Sequence, residues 1–128
     1  MNIERSSVPV IRAALVLWAC LSGLLALQWL LDLGMVGFPD GYITPYARST
    51  STLLHVLAWA CLAQSLYFVC RALLGKRLAP APLLRQMAVA AALTVVPVLV
   101  LKHCPRSQAC SSIYEAVTNT MMDDGTGG

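Results

Sequence analysis

The sequence predicts an all-α integral membrane protein with three transmembrane helices and a short amphipathic helix near the C-terminus. Composition is the first reason: of 128 residues, 58% are hydrophobic and 12% are charged, whereas about 25% are charged in an average soluble domain. A mean hydropathy of +0.69 also excludes intrinsic disorder, which needs low hydrophobicity and high net charge. The second reason is that the long apolar segments lack the polar face that a helix of a soluble bundle needs.

The first predicted transmembrane helix covers residues 13–33. Its core, residues 13–31, contains 19 residues without a charge and has Gln28 as its one amide. At about 1.5 Å per residue it extends about 28 Å, close to the hydrocarbon thickness of a bilayer. The apolar part of a secretory signal peptide is shorter, about 7 to 15 residues, so we expect a retained anchor.

The second predicted helix covers residues 53–74. Its core, residues 53–70, is uncharged, and the helix extends to residue 74 because Arg71 can snorkel to the membrane surface. The hydroxyl side chains of residues 49–52 are expected to cap its N-terminus.

The third predicted helix, residues 85–101, is short and kinked. Its uncharged part, residues 87–101, has 15 residues and extends about 22 Å. Pro97 lies inside it, where proline is tolerated in a membrane but is expected to bend the helix. A re-entrant or interfacial helix is the alternative interpretation of this segment.

The distribution of cations predicts that the N-terminus is cytoplasmic and the C-terminus lies outside. Six Lys and Arg residues flank the helices on the side of the N-terminus and second connection, against three on the other side, and cytoplasmic segments carry the excess of cations. We therefore expect a multi-pass protein of a bacterial inner membrane. Its flanking segments are a cytoplasmic N-terminus (1–12), an outer loop (34–52), a basic cytoplasmic loop (75–84) and an outer tail (102–128).

The outer tail is predicted to form an amphipathic helix over residues 112–122. Ser112 and Glu115 match the capping-box pattern at a helix start. A mostly apolar stripe then recurs at helical spacing, at Ile113, Ala116, Val117, Thr120 and Met121. So short a helix is unstable alone in water, so it must lie on the membrane, on the protein's own helices or on a partner.

Two cysteines in the tail, Cys104 and Cys110, predict a disulfide. Five residues including a proline separate them, and the predicted outer compartment is oxidising in a Gram-negative bacterium. A metal site formed by His55, His103, Cys104 and Cys110 is the alternative. Because their spacing is unlike a strong metal signature, we expect neither a bound metal nor a cofactor. Cysteines inside the predicted helices are expected to pack as small hydrophobic residues.

Small residues four apart allow close approach of membrane helices. The pairs Ala19 with Gly23, Ser22 with Ala26, and Ala88 with Ala92 follow this spacing. Two amides, Gln28 and Gln64, are expected to form hydrogen bonds between helices. The parts of the predicted helices deep in the membrane contain no row of ionisable side chains. This absence argues against a proton relay or an ion-coupled transporter.

The sequence contains no recognisable catalytic pattern, so we expect a protein that is not an enzyme. Its net charge of +3 is too small for a nucleic-acid partner. Expected partners are the lipid bilayer and other membrane protein subunits or further copies of the chain. We expect a small accessory or assembly subunit of a bacterial envelope complex of the secretion, conjugation or respiratory type. The alternatives are a self-associating pore former of the holin type and a small metal or thiol transporter.

Overall fold

The computed structural model describes residues 3–75 and 79–122, with side chains from residue 8 onward. Its α-helices are α1 (Ile3–Gly34), α2 (Pro45–Leu74), α3 (Pro80–His103) and α4 (Gln108–Thr118). A 3₁₀ turn, Cys104–Arg106, joins α3 to α4. The residues that the structure describes include no β-strand, so the prediction of an all-α fold is confirmed.

Three segments are long and apolar enough to cross a membrane by length and composition: Val8–Gly34, Pro45–Leu74 and Pro80–Arg106. They correspond in order to the three predicted transmembrane helices and indicate a multi-pass membrane protein. The helical part of the third, α3, has 24 residues, which extend about 36 Å and exceed the hydrocarbon core of about 30 Å. The expectation of a short third helix is therefore wrong.

The long helices extend beyond the predicted segments because a residue that ends an apolar run does not have to end a helix. α1 begins at Ile3 instead of residue 13 and continues through Arg12. α3 begins at Pro80 instead of residue 85, since proline is tolerated in the first turn, and it ends at His103 instead of residue 101. The helix is continuous through Pro97, and the bend at this proline stays a prediction.

The start of α2 lies eight residues before the predicted position. Thr44 is its N-cap and accepts a hydrogen bond from the amide of Ala47 at 3.1 Å, and Pro45 occupies the first turn. Ser49 and Thr50, expected as caps, lie inside the helix and donate to the carbonyl of Tyr46. The cap prediction missed Thr44 because proline at the next position marks a helix start more strongly than the hydroxyl cluster does.

The loop between α1 and α2 contains a tight turn that ends at Pro39-Asp40-Gly41. Gly41 has a φ of +72° and Gly37 has a φ of +88°, in the left-handed region that glycine tolerates. The amide of Gly41 donates a hydrogen bond to the carbonyl of Gly37. This turn reverses the chain, so α2 runs antiparallel to α1.

The tail helix covers Gln108–Thr118 instead of the predicted residues 112–122. Ser112 is an interior residue whose hydroxyl donates to the carbonyl of Gln108, so the capping-box prediction is wrong. The reason is that the 3₁₀ turn Cys104–Arg106 directly precedes α4, and Ser107 follows the turn as the N-cap. Asn119 ends α4 in the left-handed conformation, with φ 52°.

The three long helices form an up-down-up bundle with two buried clusters. The first cluster is Leu15, Ala19, Phe68, Ala72 and Leu83. The second cluster is Ala26, Trp29, Ala58, Cys61 and Val98. Each cluster contains residues of α1, α2 and α3. The N-terminus and the α2–α3 connection therefore share one end, called the basic end, and the α1–α2 loop and α4 share the other, called the tail end.

Candidate interaction surface at the tail end

The tail end is tied together by contacts among all its segments. The hydroxyl of Tyr46, in the first turn of α2, donates to the carbonyl of Leu101 on α3 at 2.7 Å. Its ring also meets the ring of Tyr114 on α4 edge to face, with centroids 5.4 Å apart. An ion pair between Lys102 and Asp32 joins α3 to α1. Tyr46 therefore connects α2, α3 and α4.

Cys104 and Cys110 lie at disulfide distance, with their Cα atoms 5.3 Å apart. The bond would link the 3₁₀ turn to the first turn of α4. A ring of this size contributes about 2 kcal/mol by loop-closure arithmetic. Together with the ring contact to Tyr46, it fixes the direction in which α4 leaves the bundle.

The residues of the predicted apolar stripe are exposed, although Thr120 and Met121 lie beyond the end of α4 at Thr118. Ile113, Val117 and Met121 are 66%, 79% and 84% exposed. Ala116 and Thr120, the other members of the predicted stripe, are exposed as well. These five residues are called the tail stripe. Tyr114 is the α4 side chain that packs on α2, so the stripe is free to contact something outside the described part of the chain.

Of the residues considered for a metal site, His55 and His103 are both exposed. The Nδ1 atom of His55 lies 2.8 Å from the carbonyl of Ser51, within hydrogen-bond distance. No three His, Cys, Asp or Glu side chains within residues 3–75 and 79–122 form a group that could hold a metal ion.

Some of the predicted packing residues are buried in the bundle, and others are partly or fully exposed. Ala19, Ser22 and Ala26 are buried in the bundle. A Cβ at Gly23 would lie 2.9 Å from Oγ of Ser65 on α2, so the backbones approach closely there. The remaining predicted positions are less buried: Gln64 is half-buried, and Gln28, Ala88 and Ala92 are exposed. The exposed positions lie outside the two buried clusters, and their role in helix packing stays a prediction.

Polar side chains inside the bundle bond to one another or to helix carbonyls. Ser65 donates to the carbonyl of Ala19 at 2.6 Å, and the thiol of Cys61 donates to the carbonyl of Ser22 at 3.4 Å. Thr94 contacts Oε1 of Gln64 at 3.2 Å. Sequence reasoning assigned no contact to Ser65 or Thr94. Alternating steps of three and four residues between buried positions of α1 and α2 would have indicated the contact of Ser65 with α1.

The fold and the exposed stripe together define a small helical bundle with three candidate membrane-spanning helices and an outward-facing amphipathic helix. Comparison with protein-family models, with curated proteins and with solved structures finds no match to this chain. A functional conclusion therefore depends on the geometry of the chain itself.

Proposed function

We propose that this chain is a non-enzymatic accessory or assembly subunit of a larger complex in a bacterial inner membrane. The observation that supports this function best is the tail stripe, an exposed apolar surface on α4 and on the residues that directly follow it. Full burial of a Val, Ile or Met side chain contributes about 1.5 to 3 kcal/mol. Burying Ile113, Val117 and Met121 would therefore be strongly favourable, and contact with a partner is the simplest way to bury them.

The chemistry of α4 favours a protein partner over a lipid surface. Helices that lie on membranes are rich in Lys and Arg on the polar face and in Trp, Phe and Leu on the other. The charged residue of α4 is Glu115, which the negative surface of a membrane repels. Its apolar face consists of smaller side chains that suit packing against another helix.

The arrangement of charge supports an orientation with the N-terminus inside. Among the cations of the basic end, Arg12, Arg71 and Arg85 are described, and the sequence adds Arg5, Lys76 and Arg77. The tail end has half as many, namely Arg48, Lys102 and Arg106. The positive-inside rule then makes the basic end cytoplasmic. A disulfide between Cys104 and Cys110 fits an oxidising periplasm.

The test is co-purification at native expression in a mild detergent, with Val117→Asp compared with Thr118→Asp. Both positions lie in the last turn of α4, so an added acid disturbs the helix dipole equally. We expect the unaltered chain to retain an unrelated membrane protein in fixed stoichiometry. Val117→Asp should lower its recovery about tenfold because a charge is buried in the contact, and Thr118→Asp should not.

The other outcomes contradict the proposal in distinct ways. Recovery of only further copies of this chain would favour the pore former of the holin type, which should also collapse the membrane potential on induction. A stoichiometric metal lost in His103→Ala would favour the transporter. Equal recovery of the partner with both α4 variants would show that the tail stripe does not contact the partner.

Orientation has a separate test that uses the tail cysteines. An impermeant maleimide is applied to intact spheroplasts with and without a reductant, and Cys104→Ser/Cys110→Ser is the control. We expect labelling after reduction without permeabilisation. Labelling that requires a permeabilised membrane would show that the tail end is cytoplasmic.

A further inference from the structure

A groove of about 780 Å³ runs along the surface between α2 and α3. Its walls away from the basic end are apolar and include Ala63, Val89 and Leu93, whereas Tyr67, Arg85 and Gln86 line it near the basic end. The hydroxyl of Tyr67 lies 3.5 Å from Oε1 of Gln86, at the limit of a hydrogen bond. Both polar groups can therefore turn toward a ligand.

The length of the groove matches one leaflet of a bilayer. From Pro82 to Leu93, both of which line it, α3 rises about 16 Å at about 1.5 Å per residue. Half of a hydrocarbon core of about 30 Å is about 15 Å. The apolar part of the groove would thus accommodate one acyl chain lying along the helices, and its polar part would reach the headgroup level.

The headgroup level carries positive charge without a matching acid among the described side chains. Tyr67 also borders a smaller depression of about 240 Å³, which Arg71 and Gly75 line. The Arg71 side chain is partly exposed at this depression. The ion pair between Lys102 and Asp32 lies at the opposite end of the bundle, so it does not neutralise Arg71 or Arg85.

We propose that this groove binds one anionic phospholipid of the inner leaflet, with its phosphate held by Arg71 and Arg85 and one acyl chain lying toward Leu93. Guanidinium groups bind phosphate through paired, charge-assisted hydrogen bonds, and basic pockets between transmembrane helices bind anionic headgroups. The inference rests on the membrane-spanning part of the proposed function and not on the partner at the tail stripe.

Charge complementarity also selects this occupant over others. A zwitterionic lipid carries its own cation, which Arg71 and Arg85 would repel. A second copy of the chain would bring its own Arg85 to the groove. At this end the sequence provides six cations and one acid, Glu4, whose side chain lies outside the described set. An anionic headgroup is the ligand that this excess of positive charge favours.

The first experiment needs no variant. The full chain, purified in detergent, is titrated with dioleoylphosphatidylglycerol or dioleoylphosphatidylcholine, and intact-complex mass spectrometry counts the bound lipids. We expect one phosphatidylglycerol bound at least about tenfold more tightly than phosphatidylcholine, as for one or more charge-assisted hydrogen bonds. Equal affinity for the two lipids would overturn the proposal, and so would displacement of the lipid by inorganic phosphate with no contribution from the acyl chain.

Matched variants locate the lipid on the surface. Arg85→Gln and Arg71→Gln should each weaken phosphatidylglycerol binding about tenfold, whereas Arg48→Gln at the tail end should not. Ala63→Trp fills the groove and should abolish the one-lipid species, and Ala60→Trp, an exposed alanine of the same helix outside the groove, should retain it. Unchanged binding in Ala63→Trp would overturn the assignment even if an arginine variant failed to fold.

The same measurement separates this inference from the proposed partner. Val117→Asp should leave the number of bound phosphatidylglycerol molecules unchanged while it releases the partner. Loss of phosphatidylglycerol in Val117→Asp would show that the lipid is held by the partner contact and not by the groove.

Discussion

The contact between α1 and α2 and the contact between α2 and α3 join similar apolar helices in different ways. Along the first contact, small side chains recur every three or four residues on both helices. They are Ala19, Ser22 and Ala26 on α1 and Ala58, Cys61 and Ser65 on α2. The close approach at Gly23 shows how near the two backbones come.

The second contact has fewer buried residues, and those on α3 are the larger side chains Leu83 and Val98. Phe68 and Leu83 meet near the basic end, and Cys61 and Val98 lie in the same cluster nearer the tail end. Between these points, Gln64 and Thr94 form a polar contact. A groove remains open along this side of α3.

The difference follows from what stabilises helix pairs in lipid. Apolar burial contributes little there, because lipid tails are as apolar as the side chains, and close packing and hydrogen bonds provide the attraction. Small residues let α1 and α2 pack closely along their length. Bulky residues hold α3 farther from α2, which leaves space that a lipid can fill.

Replacing Phe68, which is 1% exposed, should cause the largest loss because this ring lies in a buried cluster with residues of all three long helices. We expect Phe68→Ala to lower the free energy of unfolding in mixed micelles by about 3 kcal/mol, as for other buried aromatic truncations. Leu66→Ala, at an exposed neighbouring position, is the control. Similar losses in both variants would show that Phe68 is not the shared point of the two contacts.

Gly23→Leu should break the first contact selectively. A Cβ at this position already lies 2.9 Å from Oγ of Ser65, so a larger side chain must separate α1 from α2. We expect a loss of about 2 kcal/mol from overpacking, measured by the same unfolding assay. Ala92→Leu, on the exposed side of α3, should change stability little, and an equal loss there would remove the distinction between the contacts.

Loss of a single hydrogen bond should destabilise the contact between α2 and α3 more than the contact between α1 and α2. Thr94→Val removes a hydroxyl that contacts Oε1 of Gln64 and the carbonyl of Ala90, and it should destabilise the bundle by about 1 kcal/mol. Ser65→Ala should cost about half as much, because Ser22 also donates to the carbonyl of Ala19. A larger loss in Ser65→Ala would mean that the Ser65 hydroxyl contributes more to close packing than the shared carbonyl suggests.

The smallest effect is expected at the ion pair that joins α1 to α3. The side chains of Lys102 and Asp32 are 36% and 49% exposed, so the pair should contribute about 0.5 kcal/mol. A double-mutant cycle with Asp32→Asn and Lys102→Gln, at low salt and at high salt, measures this coupling. Coupling that persists at high salt would contradict a solvent-exposed pair.

Sequence reasoning reached the number and order of the long helices but not their ends. Uninterrupted apolar runs identify such helices directly, because nothing but a helix or a closed barrel satisfies the backbone in lipid. The ends depend on caps and first-turn prolines, and Thr44-Pro45 and Pro80 lie outside the apolar runs. In the tail, Ser112 and Glu115 match the pattern of a helix start, but the helix begins earlier, after the turn at Cys104–Arg106.

The tail surface also has features that the sequence predicts and features that only the structure shows. Ile113, Ala116 and Val117 of its stripe follow from spacing alone, since helical periodicity places these residues on one face of α4, whereas Thr120 and Met121 lie beyond the end of that helix. That the stripe points away from the bundle depended on the contact of Tyr114 with Tyr46, two residues far apart in the chain. Periodicity finds the apolar face of a helix, but it does not say what covers that face.

The sequence by itself determined the all-α class, the three long apolar helices and the pair of tail cysteines, because composition, run length and short spacing are local properties. The tertiary structure alone decided which small residues meet between α1 and α2, why Ala88 and Ala92 stay exposed, and where α3 leaves a groove beside Arg85. These features depend on the rotation of each helix about its axis. That rotation is set by contacts between distant residues, which no single apolar segment contains.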